Sequence, residues 1–277
     1  MANLRKLRLS DKLMFSTVRI RCTLRDGKTI TGTGFYYSKG HVKVIVTNKH
    51  VVKNSETGEL SIARGVNNEP SLDSGIHIEF NNFSELWETH SDCNIDLAVM
   101  PLKLAIRKCR EQNKEPFFVH IQHNTIADRS QWRDLIPIED IAMVGYPYNL
   151  WDKTNNLPFF MKGITASHPD INYNGREEFV INLPIYPGSS GSPVFLVNDE
   201  FYTKSRTFEQ GRDHLKLIGI GCKHLYYTKE GKTVSEIPED SQRIKWDVLL
   251  DLGIAIRSTK LCDFNVVFER NPLKWEI

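Results

Sequence analysis

At 277 residues, 40% of them apolar and 25% charged, the chain has hydrocarbon for a full core and length for one large domain or two small ones. A formal net charge of +2 and the lack of any run of 18 apolar residues exclude an electrostatic requirement for nucleic acid and a membrane-spanning helix. Five scattered cysteines (Cys22, Cys93, Cys109, Cys222, Cys262), without metal-type pairs, and no apolar leader in residues 1–20 predict free thiols in a cytoplasmic protein with no bound metal.

From the N-terminus, the basic residues Arg5, Lys6, Arg8, Lys12, Arg19, Arg21 and Arg25 alternate with apolar ones, which predicts a strand with a solvated charged face. Short strands are expected at 17–22, 29–37 and 42–47, separated by turns at 25–28 and 38–40. Residues 54–75, polar and rich in Gly, Asn and Ser, read as a loop. Further strands follow at 76–80 and 97–102, then a short helix over 104–112 and a crossing segment over 113–135. Strands resume at 141–144, 161–166, 178–183, 194–197, 217–222 and 253–256. Apolar residues at 244, 248, 249 and 252 predict a helical insertion over 240–252. Many short strands with turns roughly every ten residues point to an antiparallel all-β barrel or sandwich.

Three places carry chemistry. In Pro187-Gly188-Ser189-Ser190-Gly191-Ser192-Pro193, small and turn-forming residues let the backbone bend sharply, pushing a hydroxyl outward while N–H groups converge. Alone, that stretch reads more readily as a Gly/Ser surface turn between two strands. His50 ends a β-branched run, and Asp96 precedes the apolar run Leu97-Ala98-Val99, with Asp92 as the rival carboxylate. Taken together, Ser190 would attack a carbonyl, His50 would accept and return its proton, and Asp96 would orient the imidazole. The N–H groups of Gly188 and Ser190 would receive the developing oxyanion.

The blocks Gly32-Thr33-Gly34-Phe35, Val46-Thr47-Asn48-Lys49-His50-Val51-Val52, Asp96-Leu97-Ala98-Val99, Val144-Gly145-Tyr146-Pro147, the serine turn, Leu217-Ile218-Gly219-Ile220 and Gly253-Ile254-Ala255-Ile256 stand in one order. In that order they resemble trypsin-like serine peptidases of the chymotrypsin fold, especially the bacterial HtrA branch. The resemblance implies two antiparallel six-stranded β-barrels with a few short helices, one formed by residues 1–125 and carrying His50 and Asp96, the other by 126–277 and carrying Ser190. It implies a serine endopeptidase without cofactor, binding a protein or peptide substrate as an extended strand, with neither nucleic acid nor membrane as partner. The substrate pocket would draw on Pro184, Ile185, Cys222, Lys223, His224 and Ile254, favouring a small or apolar residue before the cut. Lys223 and His224 leave an acidic residue as the second option.

Three positions depart from the family pattern. Lys49 replaces a small residue before the histidine, and Ser192 replaces a second glycine. Ser189 stands where zymogen-activated relatives carry an aspartate, so activation by N-terminal trimming is not expected. About 19 residues follow Ser258, and no PDZ module is expected in them. Stand-alone proteases of this kind resemble triggered, defence-type enzymes that act with an activating or target partner protein. The alternative is a protease-fold binding module with suspended or lost catalysis.

Overall fold

A computed structural model describes residues 9–197, 215–232 and 243–277. Two antiparallel sheets dominate it. The first contains β1 (Thr17–Leu24), β2 (Thr29–Lys39), β3 (Val42–Thr47), β4 (Ser55–Val66), β5 (Glu69–Asn81), β6 (Glu88–Thr89), β7 (Ala98–Pro101) and β8 (Ile121–Gln122). Its strand order is β5-β4-β1-β2-β3-β7-β6, with β8 alongside β2. Five of the eight (β1, β2, β3, β5 and β7) fall on expected strands; β4 and the two-residue β6 and β8 add to them. The second sheet contains β9 (Asp140–Gly145), β10 (Phe159–Ile164), β11 (Glu178–Ile181), β12 (Pro193–Leu196), β13 (Leu217–Lys232) and β14 (Arg243–Arg257), in the order β10-β9-β12-β13-β14-β11. A bridge between Thr165 and Ile181 joins its two edges, so this sheet closes on itself.

Each sheet has its own core, with Ile20, Ile45, Ile62, Ile78 and Phe83 in the first and Met143, Phe179, Ile181 and Val194 in the second. A third cluster runs between them. It joins Phe35, Val44 and Val46 of the first sheet to Val144, Phe195 and Ile256 of the second and to Phe264, Phe268 and Trp275 near the C-terminus.

The structure corrects three expectations. Residues 54–75 form most of the β4–β5 hairpin rather than a loop. Leu60 and Ile62 alternate inward beneath the polar residues, and Asn67 and Asn68 both adopt positive φ (52° and 60°), the conformation that a two-residue hairpin turn demands. Residues 243–252 continue β14 instead of forming a helix, while 240–242 lie outside the described residues. The pairing of residues 243–249 with β13, out to Lys232 opposite Arg243, supplies a ladder for the period-two pattern Ile244-Lys245-Trp246-Asp247-Val248. Arg19 is buried rather than on a solvated face. Its guanidinium is satisfied by Glu59 (3.2 Å), Ser61 and Asn149 (2.6 Å), and it lies 4.0 Å from the centre of the Trp151 ring. The helix expected over 104–112 is present as Leu102–Glu111. No helix among the described residues is long and apolar enough to cross a membrane.

Strand pairing sets the positions that matter. Thr47 of β3 lies opposite Ala98 of β7, so the residues just past one strand and just before the other are neighbours. His50 and Asp96 are those residues. The turn before β12 is tied across to β2, where Thr33 N–H donates to the Ser190 carbonyl and Thr33 Oγ1 to the Gly188 carbonyl, both at 2.8 Å.

Candidate active site

His50 sits in the single helical turn Lys49–Val52, its side chain about half exposed. Asp96 Oδ1 accepts the His50 backbone N–H at 2.9 Å, and Oδ2 faces His50 Nδ1 at 2.5 Å. Two contacts to the same carboxylate fix the ring, and an Nδ1–H that donates to Asp96 leaves the Nε2 lone pair free. Asp96 is braced from behind, its own carbonyl accepting from Asn48 Nδ2 at 2.9 Å and from Lys49 N–H at 3.3 Å. Asp92 does not compete. Its carboxylate caps a local turn by accepting from Asn94 N–H and Nδ2.

A third group reaches Asp96 that sequence reasoning assigned to the substrate pocket. The Cys222 thiol donates to Oδ2 at 3.3 Å. Burial, reinforced by the Asp96 charge, pushes the Cys222 thiol well above its ordinary range, so it stays protonated and can donate. Burial alone would raise Asp96. The hydrogen bonds from the His50 ring and backbone and from Cys222 outweigh it and hold the carboxyl below its usual value. Asp96 is thus an anion at neutral pH.

The serine turn is almost fully pinned. Ser189 N–H donates to Tyr186 O, Gly191 N–H to Gly221 O and Ser192 N–H to Ser189 O, at 2.8 to 3.0 Å. Gly188 and Gly191 take positive φ (95° and 91°), a conformation open to them because they lack the Cβ that would clash there. Among the described residues, the N–H groups of Gly188 and Ser190 have no hydrogen-bond partner. The turn thus satisfies its other backbone donors and leaves those two unpaired among the described residues. Ser190 Oγ donates to the Cys222 carbonyl at 3.1 Å and makes no hydrogen bond with His50.

The departures in the sequence have structural explanations. Lys49 does not disturb the ground beneath His50. Its ammonium reaches across to the carbonyls of Cys93 (2.9 Å) and Ile95 (3.3 Å) and ties down the loop that presents Asp96. Ser192 is fully buried, and its hydroxyl fits only because residue 145 is glycine, where a Cβ would collide with Ser192 Oγ. Ser189 is likewise buried, its hydroxyl unpartnered among the described residues.

Of the remaining pocket residues, Ile185 is buried against Gly221 and Gly253, and Ile254 is buried in β14. Pro184 and His224 are half-buried, while Lys223 is exposed and lies 3.7 Å from the Glu178 carboxylate. Cys222 falls at a bulge, between Gly221 opposite Ala255 and Lys223 opposite Ile254. β12 pairs with β13 only through Ile220, so among the described residues no strand lies beside Cys222–His224 on that side.

One support was not visible in the sequence. Tyr148 N–H donates to the Pro187 carbonyl at 2.5 Å, and its ring stacks on Tyr186 at 4.6 Å. The loop that carries Tyr148 is in turn held by Arg19 through Asn149 and Trp151. A buried arginine in β1 therefore steadies the turn that presents Gly188.

A histidine–aspartate pair beside one sheet and a glycine-bracketed serine beside the other are linked through Cys222, whose thiol reaches Asp96 and whose carbonyl accepts from Ser190 Oγ. Residues 32–201, a span that includes His50, Asp96 and Ser190, match the trypsin-like peptidase domain, and the chain belongs to that family. Among solved structures, it is similar to the serine endoprotease from Yersinia pestis, with 18% identity and a TM-score of 0.47 over 94% of this chain and 64% of that one. It is also similar to an HtrA-type protease with a tripeptide, with 15% identity and a TM-score of 0.47 over 92% of this chain and 60% of that one. The chain thus spans less than two thirds of the length of either. No curated protein matches it.

Proposed function

We propose that the protein is a serine endopeptidase that cuts peptide bonds through Ser190, His50 and Asp96. The observation that carries this reading is the doubly bonded His50–Asp96 pair beside a serine turn whose Gly188 and Ser190 N–H groups are left open. A substrate strand adds along the open side of Cys222–His224 and competes for the Cys222 carbonyl. Losing that acceptor releases the Ser190 hydroxyl toward His50 Nε2. Ser190 Oγ attacks the carbonyl carbon while its proton passes to Nε2, and the oxyanion settles between the Gly188 and Ser190 N–H groups. Collapse expels the amine with the proton from Nε2. Water, deprotonated by the same nitrogen, then cleaves the acyl-enzyme. Asp96, anionic throughout, stabilises the imidazolium in each half-reaction.

The residue before the cut is small or apolar on this reading. Ile185 backs the pocket region with hydrocarbon, and the Lys223 ammonium already faces Glu178, which weakens its attraction for an acidic side chain. Free thiols at all five cysteines fit a reducing, cytoplasmic setting, where a target or activating partner protein would govern access.

A second reading is favoured by one observation, the Ser190 hydroxyl resting on Cys222 rather than on His50. In that reading the cleft binds a peptide without cutting it. Fluorophosphonate labelling of the purified chain separates the two. We expect covalent labelling that Ser190→Ala abolishes, with turnover of a cleaved peptide falling by about a million-fold. Labelling of neither protein, even with a bound peptide, sinks the endopeptidase reading.

A further inference from the structure

One cluster in the cleft has chemistry that peptide hydrolysis does not use. His50, Asp96 and Cys222 each present a metal-type donor atom, and the three atoms lie within 4.8 Å of one another. Nitrogen, carboxylate oxygen and sulfur are the donor set that zinc and its heavier congener cadmium take, usually as three protein ligands with a fourth position for water. We propose that His50 Nδ1, Asp96 Oδ2 and Cys222 Sγ form a binding site for a thiophilic divalent cation, zinc being the natural candidate, and that occupancy switches the cleft off. The switching half rests on the endopeptidase reading; the binding half stands without it.

Geometry and charge both fit. Tetrahedral zinc with arms of about 2.0 to 2.3 Å sets its donors about 3.3 to 3.8 Å apart. Sγ and Oδ2 already stand 3.3 Å apart, and Nδ1 and Oδ2, at 2.5 Å, need to open by less than 1 Å. Once the bridging proton has gone, Nδ1 and Oδ2 no longer attract each other, while the bond from His50 N–H to Oδ1 still holds the carboxylate in place. A dication facing one carboxylate and one thiolate leaves a neutral assembly, which is how a partly buried site tolerates two anions. The half-exposed His50 ring gives the cation a route to the site from solvent.

The protons balance. The Cys222 thiol gives its proton to solvent, and the imidazole proton leaves Nδ1 for Nε2, so each cation bound releases one proton. The same transfer explains inhibition. With the metal on Nδ1 and a proton on Nε2, the imidazole has no lone pair left to accept the Ser190 proton. Magnesium and calcium, which prefer oxygen ligands, should have no such effect.

The test uses the full chain carrying Cys93→Ser, which removes the one exposed thiol. Titration with cadmium is followed through the near-ultraviolet thiolate-to-metal charge-transfer band. We expect the band to saturate at one equivalent and to vanish when Cys222→Ser is added. His50→Ala, a change at a half-exposed residue that leaves the fold intact by circular dichroism, should weaken binding at least about a hundred-fold. A band that survives Cys222→Ser, or no band in the parent, overturns the site. Fluorophosphonate labelling of the same parent should be lost with zinc and restored by a chelator. Undiminished labelling at saturating metal overturns the switch. A chain that never labels counts against the endopeptidase reading, while the cadmium titration still decides the site.

Discussion

At the scale of single residues, the charges do more structural work than their sequence positions suggest. Glu59 in β4 is held at a pKa of about 2. Its contact with His77 contributes most to lowering it, and the Arg19 guanidinium adds to this against the opposing effect of burial. In an unfolded chain the same carboxyl titrates near 4.3. A group depressed on folding stabilises the fold above its unfolded value, and the contribution is lost as pH falls through the folded one. Glu59→Gln should therefore cost about 1 kcal/mol at neutral pH. It should also flatten the fall in stability between about pH 4.3 and 2, as read from denaturant midpoints across that range. A mutant whose acid limb matches wild type would refute the assignment. This network lay beyond the sequence, because Arg19 finds Glu59, Ser61 and Asn149 from 40 to 130 positions away. His50, Asp96 and Ser190 were legible because each carries a local signature: the end of a β-branched run, the start of an apolar one, a turn between glycines. Lys49, Cys222 and Tyr148 carry none. Their roles arise from carbonyls, a carboxylate and a ring that folding brings to them.

At the scale of elements, periodicity was legible wherever a strand buries one face and misleading where polar residues crowd it. The hairpin of β4 and β5 hides behind Ser, Glu and Asn, and its turn uses two asparagines where glycine is the stronger signal. In β14, apolar residues at 244 and 248 fit helical spacing as well as alternate strand positions, and only β13 as a partner decides between them. The serine turn is the opposite case, since the chemistry proposed for it demands the backbone that its glycines supply. At Gly191 that demand is twofold, a φ of 91° and no room, because a Cβ there would collide with the Thr33 carbonyl. We expect Gly191→Ala to cost about 2 to 3 kcal/mol, and to abolish fluorophosphonate labelling in the fraction that folds. The strain displaces the Gly191 N–H bond to Gly221 and, with it, the neighbouring Ser190 N–H. Thermal stability and labelling should fall together; a variant as stable and as reactive as wild type would mean that the turn relaxes freely.

At the scale of the molecule, the two sheets share hydrocarbon, and the C-terminal segment fastens them together. Trp275 is buried against Phe268, and Phe264 lies in the same cluster, which also holds Val44 and Val46 of β3 and Ile256 of β14. Around it, Lys274 pairs with Glu88, Lys103 donates to the Leu273 carbonyl, and Glu276 bridges to Val42 of the first sheet. The segment therefore leaves the last strand of one sheet and docks on the other, across the line that separates His50 and Asp96 from Ser190. Removing the indole takes away a large side chain from that seam, a loss of about 3 to 5 kcal/mol. For a chain of this size the melting temperature of Trp275→Ala should fall by roughly 10 °C. The shape of the transition matters more than its midpoint. A core shared between sheets makes wild type unfold in a single calorimetric step, because neither half buries the interface cluster alone. Weakening the seam should broaden that step or divide it, with fluorophosphonate labelling lost in the earlier part, since the proposed catalytic groups need both halves in register. If wild type already melts in two separated steps, each sheet stands on its own core, and the proposed cleft is held together by the serine-turn contacts to Thr33 rather than by the C-terminal segment.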